Sequence, residues 1–219
     1  TGGALPIMKI ADASLVNTNL DTSVYGSTER DAIAAGWNHN GILEIGEGAV
    51  VTNRSIAGGV KYGIAGSVFQ TGGTVAALKC TLGHNLGNTA CMGYYELSSG
   101  TFTAEDGTVC GGGNLGYFYQ SGGTASMSSL DVSGTYWGYG GVYCVHGGKT
   151  YVTGDFTMNG CEGRSGCPIG LTVEGAGSLF SASNAWTRIN NMGWVNLLDG
   201  GTLELRGLRR NKNSKDASV

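Results

Sequence analysis

The sequence predicts an all-β protein: a single-domain parallel β-helix, or β-solenoid, of about seven rungs of roughly 25 residues each. Two periodicities lead to this fold. A glycine-closed turn returns seven times at intervals of 23 to 29 residues, and in six repeats another glycine precedes it by seven residues. Such a period, with strand patterns inside each repeat, is typical of stacked repeat architectures. The turn glycines are Gly48, Gly73, Gly100, Gly123, Gly148, Gly177 and Gly201.

The four residues after each turn glycine predict a strand with one buried face. The second and fourth positions are apolar in 11 of 14 cases, and the first and third in 5 of 14. Alternation of this kind assigns an inner and an outer face to a strand. We therefore expect a ladder of outward threonines, formed by Thr74, Thr101, Thr124 and Thr202.

The strand before each turn is apolar on both faces, which predicts burial on both sides. The pattern places one set of residues on one face: Tyr94, Tyr117, Tyr119, Cys144, Leu171 and Val173. It places another set on the opposite face: Tyr95, Leu97, Phe118, Tyr143 and Val145. The N-terminal segment, a sister subunit or a ligand is expected to cover the face that does not line the solenoid interior.

Three regions follow from the repeat: 1–40 as an N-terminal partial rung and cap or insert, 41–205 as the solenoid, and 206–219 as a basic C-terminal tail. Thr1-Gly2-Gly3 matches the turn Thr71-Gly72-Gly73, so the chain is expected to begin halfway round a rung. The stretch 27–36 predicts a short capped helix, because a serine N-cap is followed by acidic residues in the first turn.

Charge is sparse and unevenly distributed. Charged residues are 13% of the chain, which carries a formal net charge of −3. Residues 1–205 hold 8 basic and 15 acidic residues, a net charge of −7, whereas five basic residues fall within 206–219. A basic end on an acidic body would steer subunits head to tail, or else form a solvated tail. The composition predicts neither nucleic-acid binding nor membrane insertion.

Six cysteines without metal-type spacing favour disulfides and an oxidising, extracellular or cell-surface location. Cys161 and Cys167 flank a short loop and form a candidate pair. The other four, Cys80, Cys91, Cys110 and Cys144, allow three connectivities. For Cys80 and Cys144 the alternative is an unpaired thiol packed in the core.

The units Gly66-Ser-Val-Phe-Gln-Thr-Gly-Gly73-Thr-Val and Gly116-Tyr-Phe-Tyr-Gln-Ser-Gly-Gly123-Thr-Ala carry a family resemblance. They resemble the repeats of glycine-rich β-helix surface proteins of the bacterial autotransporter-passenger and adhesin type. The resemblance covers residues 41–201 and implies a β-helical stalk or scaffold whose role is adhesion or assembly. Two expectations depart from that family: its passengers usually contain few cysteines, and no translocating barrel is expected to follow Val219.

The favoured function is a non-enzymatic, extracellular structural protein that self-associates end to end or laterally into fibres or a surface layer. Its expected partner is therefore a second copy of the chain, and no cofactor or metal is expected.

A second hypothesis is a carbohydrate-binding or adhesin stalk module, because aromatic rings crowd the middle repeats. Exposed rings on a rigid sheet would stack on sugars, whereas buried rings would form a core ladder. The candidate binding residues for a glycan or a subunit are Tyr94, Tyr117, Tyr119, Tyr136, Trp137 and Tyr139.

A third hypothesis is a β-helical polysaccharide lyase or hydrolase, which needs clustered carboxylates. Asp106, Asp131 and Asp155 fall on the second strand of three successive rungs. Alignment puts Asp106 and Asp155 in phase and Asp131 two residues away, with no basic residue in phase. Solvated surface carboxylates are the simpler interpretation.

Overall fold

In the computed structural model, the described residues are 5–16, 32–36, 39–60, 63–83, 91–109, 115–134, 140–159, 169–184, 186–189 and 193–210. Their regular secondary structure consists of strands only. The strands are β1 (Ile7–Ile10), β2 (Ser14–Val16), β3 (Ala32–Ala35), β4 (Gly41–Ile45), β5 (Val50–Gly58), β6 (Ala65–Leu82), β7 (Met92–Val109), β8 (Leu115–Gln120), β9 (Thr124–Ser133), β10 (Gly141–Val145), β11 (Lys149–Val152), β12 (Phe156–Asn159), β13 (Ile169–Glu174), β14 (Leu179–Ala182), β15 (Thr187–Ile189), β16 (Gly193–Leu198), β17 (Thr202–Leu205) and β18 (Leu208–Arg210).

The strands pair in parallel and stack into three faces that meet at corners, which confirms the predicted β-solenoid. Because β6 and β7 are 18 residues long, each bends at two corners and crosses all three faces. Face A contains β1, β4, residues 65–70 and 92–97, β8, β10, β13 and β16. Face B contains β2, residues 50–53, 74–77, 101–104 and 124–127, β11, β14 and β17. Face C contains β3, residues 55–58, 79–82, 106–109 and 129–133, β12, β15 and β18.

Seven successive pairings on face A join eight strand segments, so the described chain forms eight stacked layers, close to the seven rungs expected. The additional layer is the first one. It consists of β1, β2 and β3, and its turn from face A to face B is at Asp12, which has a positive φ of 49°. The expected turn at Gly3 lies outside the described residues, and the first described strand already belongs to face A.

Three expectations about the chain ends are corrected. Residues 32–35 form strand β3, so the helix expected over 27–36 is wrong at its described end; pairing with β5 overrides the local helical pattern. The described residues of the N-terminal segment extend the stack and do not lie over face A. At the other end, β18 pairs with β15, so the solenoid continues past residue 205 into the segment expected to be a tail.

The glycine that opens each repeat stands where two faces approach closely. Gly41, Gly66, Gly93, Gly116 and Gly141 lie in direct register on neighbouring rungs. A Cβ on Gly66 would overlap the carbonyl oxygen of Ala35 and the amide nitrogen of Gly59. Glycine therefore allows the end of face C to pass against the start of face A.

Six of the seven turn glycines have positive φ angles, between 64° and 89°, in the region that favours glycine. Gly201 is the exception, because the positive angles there belong to Asp199 and Gly200. The turns at Gly48 and Gly177 each contain one more residue between the glycine and the next strand than the other turns do. Val50 lies opposite Thr74, although it is the second residue after Gly48 and Thr74 is the first after Gly73.

The longer turns shift the inner face by one residue, so the predicted faces are wrong in two rungs. Val50 points outward and is 42% exposed, whereas Val51 is fully buried. After Gly177 the inward residues are Phe180 and Ala182, both fully buried. A slip of one position moves every side chain of a strand to the opposite face.

A separate register shift, which begins before the Gly177 turn, corrects the placement of Leu171 and Val173. Gly170 pairs with Val142 instead of with Gly141, so Leu171 lies beside Tyr143 and Val173 beside Val145. Both are fully buried in the interior, not on the outer face with Tyr94.

Candidate functional site

The aromatic residues of face A divide into an inner stack and an outer surface. The rings of Tyr95, Phe118 and Tyr143, from three consecutive rungs, stack inside the solenoid with centroids 5.0 and 4.6 Å apart. Phe102 and Phe180 extend the stack through ring contacts at 5.0 and 5.7 Å. These rings are core residues, because each is at most 2% exposed.

Tyr94, Tyr117 and Tyr119 lie on the outer side of the same face and are half-buried. Tyr94 pairs with Tyr117 on the next rung, and Glu96 pairs with Tyr119. The hydroxyl of Tyr94 donates to Oε2 of Glu96 at 3.0 Å. Burial, and then the Glu96 carboxylate, raise the pKa of Tyr94 above its ordinary value, so this hydroxyl remains a donor. These tyrosines thus present ring surface and hydroxyl groups together on one flat sheet.

Sequence reasoning missed the polar groups that continue this surface. Nδ1 of His146 is 3.2 Å from Oε2 of Glu174, and both side chains are about one third exposed. The ring of Tyr119 lies 5.0 Å from the imidazole of His146, centroid to centroid. One available signal was the position of His146 two residues after Cys144, a spacing that places both on one face of an extended chain. The alignment of the glycines did not place Glu174 beside His146, because the register shifts by one residue at Gly170.

We call this surface the tyrosine face; it consists of Tyr94, Glu96, Tyr117, Tyr119, His146 and Glu174. It combines aromatic ring surface with hydrogen-bond donors and acceptors, a combination that suits the apolar face and the hydroxyl groups of a sugar. The other candidate aromatic residues, Tyr136, Trp137 and Tyr139, lie outside the described residues.

The three aspartates of the enzyme hypothesis do not meet. Oδ1 of Asp106 accepts a hydrogen bond from the Ser129 hydroxyl at 2.5 Å, and Oδ1 of Asp131 accepts one from Thr157 at 2.9 Å. Asp155 immediately precedes β12 and lies opposite Ser129 of β9. Ser129 in turn lies opposite Asp106 of β7, so one whole rung separates Asp155 from Asp106. Each carboxylate is thus placed singly, beside a hydroxyl of face C or at the start of a strand.

Three of the six cysteines are described, and none of the three forms a disulfide within the described residues. Cys80 is 3% exposed in the core, where burial raises its pKa to about 12. Cys144 lies half-buried on the outer side of face A, and burial raises its pKa as well. The expectation of disulfides is therefore wrong for these two residues, and for Cys80 the alternative of a packed thiol is correct.

Cys91 is also buried, and its thiol donates to the carbonyl oxygen of Gly59 at 2.9 Å. The candidate pair Cys161 and Cys167 lies outside the described residues, as does Cys110. That pairing stays a prediction.

Exposed apolar side chains concentrate at the two ends of the stack. In the first layer and the residues just before it, Leu5, Ile7, Met8 and Val16 are 47% to 52% exposed. In the last layer, Leu197, Leu198 and Leu208 are 45% to 53% exposed. Apolar surface of this kind, on strands that pair along one edge only among the described residues, favours association.

Comparisons with protein-family models, with curated proteins and with solved structures found no match. Among the described residues there is no helix long and apolar enough to cross a membrane.

Proposed function

We propose that this chain is an extracellular structural β-solenoid that self-associates end to end. The observation that carries the proposal is the exposure of apolar side chains at both ends of the stack. Met8 is 47% exposed in the first layer and Leu197 is 53% exposed in the last, although both occupy inward positions of face A. Residues at the equivalent inward positions of inner layers, Val68 for Met8 and Val145 for Leu197, are fully buried.

Backbone geometry supports the same mode of association. Within the described residues, β1, β2 and β3 pair only toward the second layer, and β16, β17 and β18 pair only toward the seventh. Parallel strands of a second copy placed about 4.8 Å beyond either end would continue all three faces. Continuation of this kind satisfies edge amides and carbonyls and buries the terminal apolar residues.

The extracellular location rests on composition, which has few charges and many hydroxyl side chains, and on the predicted disulfide between Cys161 and Cys167. It is tested by fractionating the native cells and locating the chain with an antibody. Recovery in the cytosolic fraction alone contradicts this part of the proposal and leaves self-association intact.

Self-association is tested by sedimentation velocity across protein concentration, combined with negative-stain electron microscopy. We expect the wild type to form rods that lengthen with concentration, and Leu197→Lys to abolish the lengthening because a charge then faces the junction. Val50→Lys is the matched control, since Val50 is 42% exposed on the outer side of the second layer of face B and does not face a junction. A wild type that stays monomeric at all concentrations, or equal effects of both variants, contradicts the proposal.

A second candidate function is carbohydrate binding at the tyrosine face. The observation in its favour is the register of Tyr94 with Tyr117, which sets two half-exposed rings on neighbouring rungs. We expect Tyr117→Ala to weaken binding in a glycan array, because stacking on a sugar needs the ring. Tyr151→Ala removes a half-buried tyrosine from the outer side of face B and is the control. An array with no bound glycan contradicts this candidate.

A further inference from the structure

Three arginines and an exposed tryptophan occupy neighbouring positions on the last two described layers. Trp186 precedes β15 and is 37% exposed. Arg188 in β15 lies directly opposite Arg209 in β18, and both side chains are exposed on the outer side of face C. Arg206, between β17 and β18, is exposed at the adjoining corner. We call this group the arginine patch; it consists of Trp186, Arg188, Arg206 and Arg209.

The tryptophan ring holds two of the guanidinium groups in place. Cζ of Arg209 lies 4.1 Å from the centroid of the Trp186 ring, and Cζ of Arg206 lies 5.9 Å from it. Nη1 of Arg206 also donates to the carbonyl oxygen of Asn184 at 3.2 Å. Contacts between arginine and an aromatic ring orient the planar donor fork, so less entropy is lost when an anion binds.

The charges of the patch are not neutralised within the described residues. Like charges placed directly opposite on neighbouring strands, as in Arg188 and Arg209, destabilise a sheet. The carboxylates at neighbouring positions belong to Asp155, one rung before Trp186, and to Glu204 on face B. Neither forms an ion pair with an arginine in the described part of the chain. A bound anion would offset the repulsion between the two guanidinium groups.

We propose that the arginine patch binds a carboxylate-bearing unit of an anionic polysaccharide. Guanidinium forks match carboxylate geometry, Arg188 and Arg209 occupy directly opposite positions, and the exposed part of the Trp186 ring offers a surface for a sugar ring. Ser183 and Asn184 are exposed at the corner beside Arg206 and supply partners for sugar hydroxyls. This inference depends neither on self-association nor on the tyrosine face.

A glycan with one carboxylate per sugar unit, which is less densely charged than a nucleic acid, fits the molecule better than a nucleic acid does. The chain has a net charge of −3, and residues 1–205 carry −7. Nucleic-acid affinity comes mainly from neutralising many phosphates, which an acidic body opposes through long-range repulsion. A single carboxylate at the patch needs only the local arginines.

The test is calorimetric titration with alginate oligosaccharides at low salt, with dextran oligosaccharides as the neutral counterpart and a single-stranded DNA oligomer as the phosphate counterpart. We expect alginate to bind the wild type and the double variant Arg188→Gln/Arg209→Gln to weaken binding by about tenfold or more, because charge-assisted hydrogen bonds are lost. Lys149→Gln removes an exposed charge from a middle layer of face B and is expected to leave affinity within about twofold. Arg209→Lys keeps the charge but loses the planar donor fork, and its alginate affinity is expected to lie between that of the wild type and that of the double variant.

Several outcomes overturn the proposal. They are no alginate binding by the wild type, equal loss in Lys149→Gln, DNA bound as tightly as alginate, and a double variant that changes the oligomeric state but not alginate affinity. The last outcome would make a second copy the occupant of the patch. Trp186→Phe is a second variant in which the guanidinium groups remain; it is expected to reduce affinity with the fold intact by circular dichroism.

Discussion

The hydroxyl of Tyr95 donates a hydrogen bond to Oε1 of Gln70, one rung away, at 2.6 Å in the interior of the solenoid. Nε2 of Gln70 in turn donates to the carbonyl oxygens of Gly72 and Gly73, two and three residues ahead, and to that of Thr101 on the next rung. The glutamine thereby ties its own turn to the neighbouring rung. Both side chains are fully buried, so their polar atoms depend on each other.

Replacing Tyr95 with phenylalanine is expected to destabilise the fold by about 1–3 kcal/mol, because the buried Oε1 of Gln70 loses its donor. Urea denaturation followed by circular dichroism measures the change. Tyr117→Phe on the outer side of face A is the control, with an expected effect within about 0.5 kcal/mol. Equal costs for the two variants would show that the buried hydrogen bond adds no stability.

Gln120 repeats the arrangement of Gln70, with Thr150 as the donor to its Oε1 and the Gly122, Gly123 and Lys149 carbonyls as acceptors. Replacing Gln120 with leucine is expected to cost about 1–3 kcal/mol, since buried polar atoms lose their partners. The Thr150 hydroxyl also lies 3.1 Å from the buried Tyr143 hydroxyl. Adding Thr150→Val and Tyr143→Phe together, as one second change, removes both hydroxyls and is expected to recover part of the loss. A double-mutant cycle measures the coupling. Strict additivity of the two changes would argue against it.

Gly66→Ala is expected to destabilise the fold by about 3 kcal/mol or more. The new Cβ would overlap backbone atoms of Ala35 and Gly59, which cannot move aside. The free energy of unfolding is the measurement. Ser67→Ala, at the next position, points outward and is expected to be nearly neutral. A Gly66→Ala protein as stable as the wild type would mean that the corner can widen.

Cys80 is expected to resist alkylation in the native protein, since burial raises its pKa to about 12 and the thiolate is the reactive form. At pH 8 roughly one molecule in ten thousand would carry the thiolate at that pKa. Because the folded state holds this proton more tightly, the stabilisation is complete below pH 9 and is lost as the pH rises toward 12. Mass spectrometry after iodoacetamide treatment, with Cys144 as the half-buried comparison, measures the difference. Labelling of Cys80 as fast as Cys144 at pH 8 would refute the expectation.

Much of the tyrosine face was predictable from the sequence. Tyr94, Tyr117 and Tyr119 occupy alternate positions after in-register glycines, and alternation separates them from Tyr95 and Phe118. His146 and Glu174 could not be joined in the same way, because a register shift lies between them. The arginine patch was visible only as a basic segment, since Trp186 and Arg188 are distant from it in sequence.

The sequence by itself determined the solenoid, its period and the inner face of the regular rungs, because glycine spacing and two-residue alternation are local properties of the chain. Only the tertiary structure decided which residues oppose one another where turns differ in length, as at Val50 and Phe180. It also decided that Ala32–Ala35 form a strand. The reason is that register is set by hydrogen bonds and packing between rungs, and these contacts join residues some 25 positions apart.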